Sequence, residues 1–281
     1  MKLLAFLSII TLLLSCKPDF TTLQFDTISK NNDLQFWYEQ NNNNEYLNLL
    51  RSKYPIDSLI KDSKTDTERA QSIMHWVHIQ WRHNGKNEPK KRDAISILEE
   101  VKERKNFRCV EYAIVSSACL NAIGLKTRIL GLMTKDVETR KSGAGHVVSE
   151  VFLSDLNKWV FIDAQWDAMP VLNGIPLNAV EFQHAITNHY DELEILSSRK
   201  WISKKRYISW IYPYLYNFNI LFDNREGIGI DRNSIDGKSN LILSPVGASN
   251  PTVFQRKQKI DYAVYTNSLN DFYAQPNNID K

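Results

Sequence analysis

CVEYAIVSSACLNAIGL, residues 109–125, is the stretch on which the reading of this chain turns. Val110, Ala113, Ile114, Ala118 and Ile123 recur at helical spacing and Gly124 supplies a stop, so the stretch predicts a helix with Cys109 at or near its N-terminus. Unpaired backbone N–H groups and the positive end of the helix dipole favour an anion there, which lowers a thiol pKa. The same N–H groups can hold an oxyanion formed at an attacked carbonyl. Cys119 lies about 15 Å further along the helix at the standard rise, between Ala118 and Leu120, and reads as a core residue. Disulfide Cα separations stay below about 7 Å, so the two cysteines of one straight helix cannot bridge.

Downstream, GHVVSEVFL (residues 145–153) alternates His146, Val148, Glu150 and Phe152 with Val147, Ser149, Val151 and Leu153, a strand reached through the Gly143-Ala144-Gly145 turn. KWVFIDAQW (residues 158–166) is a second β-rich run that follows an Asn157-Lys158 turn and carries Asp163. Two hairpin-paired strands would set the His146 imidazole beside the Asp163 carboxylate, with the cysteine helix packed across them. A thiol nucleophile, its base and the orienter of that base need this geometry. Taken singly, a cysteine among apolar residues is a core filler, a histidine at a strand start is structural and an aspartate at a strand end is a turn residue. Only their company makes them a candidate site.

These residues resemble the transglutaminase-like superfamily, whose core is a circularly rearranged relative of the papain fold. The resemblance runs from about Thr65 to Phe182. It rests on ERAQSIMHWVHIQWRH (68–83), the CVEYA helix start, the Gly124-Leu125-Lys126-Thr127-Arg128 exit into a strand, GAGHVVSEVF (143–152) and WVFIDAQW (159–166). It implies an α+β fold with the catalytic helix packed on an antiparallel β-sheet. It also implies Cys109 as nucleophile, His146 as general base and then acid, and Asp163 as orienter. Trp81, His83 and Arg108 are candidates for oxyanion stabilisation or substrate positioning. Two positions depart from the family pattern. Phe107 and Arg108 stand where a glycine often precedes the nucleophile, and Ala164 stands where a proline often follows the aspartate.

Elsewhere, Tyr46 to Ile60 has helical spacing broken at Pro55, and Thr65 with Glu68 forms a capping-box pattern before a helix expected to end near His83-Asn84-Gly85. Asp93 caps a shorter helix through Ile95, Ile97, Leu98 and Val101. His75, His78 and His83 invite a metal reading, but no carboxylate or cysteine motif completes a ligand set, so neither metal nor cofactor is expected. His184 and His189 have no nameable partner. From Asn188 the chain turns aromatic and polar, with Trp201, Trp210, Tyr212, Tyr214, Tyr216, Phe218 and Phe222. Such a stretch could line a peptide or sugar groove, but more often it is core. Asn240 to Thr266 alternates around Pro245, Gly247 and Pro251, a β-rich pattern. The expected organisation is a leader at 1–15, a tether and docking segment at 16–60, a core at 61–187 and a C-terminal aromatic, β-rich appendage at 188–281.

Lys2, the apolar run Leu3 to Leu14 and Leu13-Leu14-Ser15-Cys16 look like a bacterial lipoprotein signal, cut before Cys16 with lipid on that cysteine. The run is shorter than the roughly 20 apolar residues that span a bilayer. The expected place is the bacterial cell envelope, anchored at the outer membrane or cell surface. Loss of the leader lowers the formal charge from +3 to +2, too weak for a nucleic-acid partner, and no glycine-rich phosphate loop supports a nucleotide. The expected activity is a thiol enzyme on amide or peptide bonds of an envelope substrate, hydrolysis favoured over transamidation. The alternative is a non-catalytic envelope lipoprotein that holds a peptide or glycan in the same cleft.

Overall fold

Side-chain caps start most of the helices. Asn44 Oδ1 accepts from the Leu47 N–H at 3.1 Å, Thr65 Oγ1 from Glu68 at 3.2 Å and Asp93 Oδ1 from Ser96 at 2.9 Å, each satisfying a backbone donor that the helix leaves free. The computed structural model describes residues 20–40, 44–198, 202–228 and 232–276; the leader, Cys16 and Trp201 lie outside them. In chain order come α1 (Glu45–Lys53), α2 (Ile56–Ile60), α3 (Asp66–Gln80), α4 (Ala94–Lys102) and α5 (Cys109–Ala122). Strands β1 (Thr127–Met133), β2 (Gly145–Leu153), β3 (Lys158–Ile162), β4 (Met169–Leu172) and β5 (Ile175–Pro176) follow. Then come α6 (Ala179–Asn188), β6 (Leu193–Leu196), α7 (Lys204–Ile211) and a 3-10 turn (Tyr212–Tyr214). The chain closes with β7 (Asn217–Leu221), β8 (Asn240–Leu243), β9 (Val253–Phe254), β10 (Gln258–Lys259), β11 (Ala263–Thr266) and α8 (Leu269–Phe272). No helix among the described residues is long and apolar enough to cross a membrane.

Six strands form the main sheet in the order β11-β8-β7-β1-β2-β3, antiparallel throughout except for the β8–β11 pair. Strand alternation sends Val151, Leu153, Val160 and Ile162 to one face, where they join Ile73, Val77, Val115, Ala118 and Cys119 of α3 and α5. Leu130, Leu132, Val148, Phe161 and Phe218 point to the other face, under Phe182 of α6, Tyr207 and Ile211 of α7 and Phe272 of α8. The C-terminal stretch is aromatic and β-rich as expected, but β7, β8 and β11 extend the core sheet, so the division drawn at residues 187 and 188 is crossed by hydrogen-bonded strands. The span 253–259 folds into a hairpin of β9 and β10 whose turn residues Gln255 and Arg256 have φ of 50° and 60°.

In the span 16–60, read as a tether and docking segment, the described residues begin at Phe20. Phe20, Phe25, Leu34, Phe36 and Trp37 already pack on the sheet's second face, because their apolar side chains find a hydrophobic surface there. Phe20 lies 4.5 Å from the Tyr212 ring, the Thr21 N–H donates to Tyr212 Oη at 2.6 Å, and Gln183 Nε2 donates to the Thr21 carbonyl at 2.8 Å. Asp26 and Ser268 form a parallel bridge.

Arg128 and Glu150 sit directly opposite each other on β1 and β2, both wholly buried. Arg128 Nε and Nη2 donate to Glu150 Oε2 at 3.0 and 2.6 Å, and Nη1 donates to the Phe272 carbonyl at 2.6 Å. Its guanidinium lies over Trp159 at 4.3 Å, Phe272 at 4.8 Å and Tyr273 at 5.0 Å. Glu150 Oε1 accepts from the Ala179 N–H at 2.9 Å and Tyr273 Oη at 3.2 Å. A charge left alone in such a place is costly. Glu150→Gln is therefore expected to lower the unfolding free energy by about 3 kcal/mol or more. Asp57→Asn, which loosens the exposed Arg51–Asp57 pair, should cost less than about 1 kcal/mol. Urea titration of the two variants beside the parent makes the comparison.

Candidate active site

Cys109 is the first residue of α5 and half-buried. The chain before it is held by the N-cap residue. The Arg108 backbone N–H donates to Glu111 Oε2 at 3.0 Å, its Nη2 to Glu111 Oε1 at 2.8 Å, and its guanidinium also pairs with Glu88. The guanidinium expected to position substrate is thus committed to two carboxylates, one of them buried, and it seats the helix start. α5 packs on the Ser149 face of β2, with Ser149 Oγ donating to the Ala113 carbonyl at 3.1 Å. Cys109, at the start of this helix, comes close to His146 where β2 begins, near enough for the thiol to help raise the imidazole pKa.

The other side of the imidazole belongs to Asp163. Ile162 pairs with Ser149, so the next residue, Asp163, falls on the face that carries His146, and His146 Nε2 lies 2.9 Å from Asp163 Oδ2. Nδ1 is thereby left for Cys109. Asp163 is past the end of β3, in a loop closed by mutual backbone bonds with Ala168 at 2.9 and 3.0 Å. α3 clamps this loop. His78 Nδ1 approaches the Ala164 and Gln165 carbonyls at 3.0 and 3.1 Å, and His75 Nδ1 pairs with Asp167 Oδ2 at 3.2 Å. Two of the three histidines that invited a metal reading, His75 and His78, therefore hold the Asp163 loop, and no metal-ligand cluster occurs among the described residues.

Trp81 caps the C-terminal end of α3, short of the expected stop at His83-Asn84-Gly85, because the Arg82 and Asn84 N–H groups turn away to Asn106 Oδ1 and the Phe107 carbonyl. Its ring lies tilted 4.2 Å from that of Tyr112, whose hydroxyl donates to the Trp81 carbonyl at 2.8 Å. Tyr112 is one helical turn past Cys109, so the indole lies against the turn that the thiol begins. The buried Trp81 Nε1–H has no hydrogen-bond partner among the described residues. His83 stays open to solvent on one side; partial desolvation and the charge of His146 both lower its pKa.

Tyr207 escaped sequence reading, and Trp210 and Tyr214 enter it only as members of an aromatic stretch that could line a groove. Tyr207 Oη donates to Asp163 Oδ2 at 3.0 Å, and the rings of Trp210 and Tyr214 stand 4.8 and 6.0 Å from the His146 ring, Trp210 edge-on. Their spacing along α7 and the turn after it, Tyr207, Trp210 and Tyr214, is a helical stripe that the general aromatic richness of the stretch concealed. The cavity lined by Asn178, Glu181, Leu269 and Tyr273, about 420 Å³ in volume, lies between α6 and α8 and shares no residue with this site.

Residues 56–164 match the profile of the Transglutaminase-like superfamily. Among solved structures, a protein of Cytophaga hutchinsonii described as a candidate cysteine protease aligns with a TM-score of 0.36 and 12% identity over 64% of this chain and 64% of its own. Red sea bream transglutaminase aligns at 0.32 and 13% over 78% of this chain and 38% of its own. This chain therefore spans less than two thirds of the length of either structure. No curated protein matches the sequence. The α+β architecture, with α5 laid on an antiparallel-rich sheet, agrees with the transglutaminase-like, papain-like core expected from the sequence.

Burial disfavours the charged imidazole of His146, but the Asp163 carboxylate, through its charge and its hydrogen bond, and the Cys109 contact more than offset this and raise the pKa to about 9. A raised histidine pKa stabilises the fold fully below the unfolded value of about 6.5 and loses that contribution as pH rises through the folded value. The unfolding free energy is therefore expected to fall by roughly 3 kcal/mol between pH 6.5 and pH 9. His146→Asn should flatten the fall, as measured by denaturant titration across that range.

Proposed function

We propose, from the match of residues 56–164 to the Transglutaminase-like superfamily profile, that the chain is a lipid-anchored thiol enzyme acting on amide or peptide bonds of the bacterial cell envelope. The observation that carries the reading is the imidazole of His146, in contact with the Cys109 thiol on one side and Asp163 on the other. His146 takes the thiol proton, and Asp163 orients the ring and stabilises the imidazolium. Cys109 Sγ attacks the amide carbon, a C–S bond forms, and the carbonyl electron pair moves onto oxygen.

Two donors suit that oxygen: the unpaired Trp81 indole N–H and the free backbone N–H groups at the start of α5. On collapse, the imidazolium gives its proton to the amide nitrogen, the C–N bond breaks and the amine leaves a thioester on Cys109. Water then adds to the thioester carbon as His146 takes its proton. Breaking the C–S bond releases the carboxylic acid and restores the thiol–imidazole pair. The half-exposure of Cys109 supports water as the acceptor, hence hydrolysis over transamidation.

Lipid on Cys16 follows from Leu13-Leu14-Ser15-Cys16 behind an apolar run, and several acyl chains on one residue would give lasting membrane attachment. Cys16→Ser is expected to abolish incorporation of labelled palmitate and to move the protein from the membrane to the soluble fraction; unchanged labelling would exclude this anchor. Cys109→Ala is expected to cut amine release from a panel of peptide amides by at least about 10³-fold with the thermal transition kept. Turnover equal to that of the parent would overturn the enzymatic reading.

A further inference from the structure

α7 lies beyond the family-matched segment, yet it supplies a polar contact to the centre of the site. Ser203 Oγ caps its start by accepting from the Arg206 N–H at 3.3 Å, and Lys204 Nζ ties it to the Tyr190 and Leu193 carbonyls at 2.8 and 2.9 Å. So held, the helix directs Tyr207 inward. The side chain is wholly buried, its ring stacked on Phe182 at 6.2 Å and tilted against Trp166 at 5.6 Å. Its hydroxyl reaches Asp163 Oδ2 at 3.0 Å, the same oxygen that lies 2.9 Å from His146 Nε2. Asp163 Oδ1 accepts separately from the Trp166 N–H at 3.2 Å.

An ionised carboxylate only accepts, so the tyrosine hydroxyl must donate. Two donors then draw on the charge of one oxygen, and what the phenol takes is withheld from the imidazole. We propose that Tyr207 is a positioning residue that fixes Asp163 and sets the basicity of His146 from outside the Cys-His-Asp arrangement. The inference rests on reading His146 and Asp163 as an acid–base pair. Burial and the Asp163 charge push the Tyr207 pKa well up, so the hydroxyl keeps its proton through the range in which His146 titrates.

The titratable groups around His146 are Cys109 from α5, Asp163 beyond β3, Tyr207 from α7, Tyr214 from the turn after it, and His83 from the loop after α3. Tyr112 of α5 also feels the Asp163 charge. Trp210 and Tyr214, the rings from α7 and its turn that approach His146, make ring contacts only, whereas Tyr207 hydrogen-bonds to Asp163.

The test is a ¹⁵N NMR titration of the His146 imidazole in the full-length chain, without substrate, in the parent, in Tyr207→Phe and in Tyr207→3-fluorotyrosine. Loss of the donor returns charge to the imidazole and should raise the midpoint by about half a pH unit; fluorination acidifies the phenol, strengthens the donation and should lower it. A midpoint that stays put, or moves the other way, overturns the proposal and leaves Tyr207 a packing residue. Should the phenylalanine variant not fold, the fluorinated chain, which keeps shape and hydroxyl, decides alone. Because no turnover is measured, failure of the amide assays on Cys109→Ala and failure of this titration are separate results.

Discussion

A guanidinium and a carboxylate without access to water hold four stretches of this chain to one another. Arg128 and Glu150 face each other across β1 and β2, and their remaining hydrogen-bonding capacity goes to the start of α6 at Ala179 and to α8 at Phe272 and Tyr273. Tyr38, from the N-terminal stretch, packs 5.2 Å from the Trp159 ring on which the guanidinium lies. Such a pair is weak evidence for net stability, since apolar residues of similar volume often do as well. What it adds is definition: one register of β1 on β2 brings the two charges together, and a slip by one residue would turn one of them toward α5 and leave the other buried alone. The same register fixes the strand on which His146 stands.

The arrangement around Cys109 draws on both faces of the sheet. The thiol comes with α5 from one side; His146 and Asp163 face the other, beneath α7. The meeting point is the end of β2, where the helix start reaches the strand's first residues. The two halves depend on different parts of the chain, the helix half on Arg108, Glu111 and Tyr112, the imidazole half on the loop after β3 and on Tyr207, Trp210 and Tyr214.

The parts of the fold with strong local signals were legible before any coordinates. Pro55 splits α1 from α2, Thr65 and Asp93 cap α3 and α4, and the alternation of residues 145–153 is β2 almost to the residue. Cys119 is wholly buried, and burial drives its thiol pKa well up, as suits a core residue. Other parts were hidden for physical reasons. β4, β5 and β6 are two to four residues long, too short for period-two alternation to show. α7 lies in a stretch so rich in aromatics that the helical stripe of Tyr207, Trp210 and Tyr214 does not stand out. The joining of β7 to β1 is a pairing across more than 80 residues of chain, which no local pattern encodes. Arg108 reads as a candidate for oxyanion stabilisation or substrate positioning because its partners, Glu88 and Glu111, give no signal of contact until the chain is folded.

Phe20, the first described residue, is pressed against Tyr212, with Thr21 bonded to the phenol. Tyr212 immediately follows α7, between Trp210 and Tyr214. Three residues lie between Cys16 and Phe20, so covalent geometry keeps the two within about 14 Å of each other. An anchor at Cys16 would therefore moor the molecule by the edge next to the His146 wall. The thiol would then work a thin layer above a lipid surface, and targets would be sorted by how near to that surface they come before their chemistry is tested.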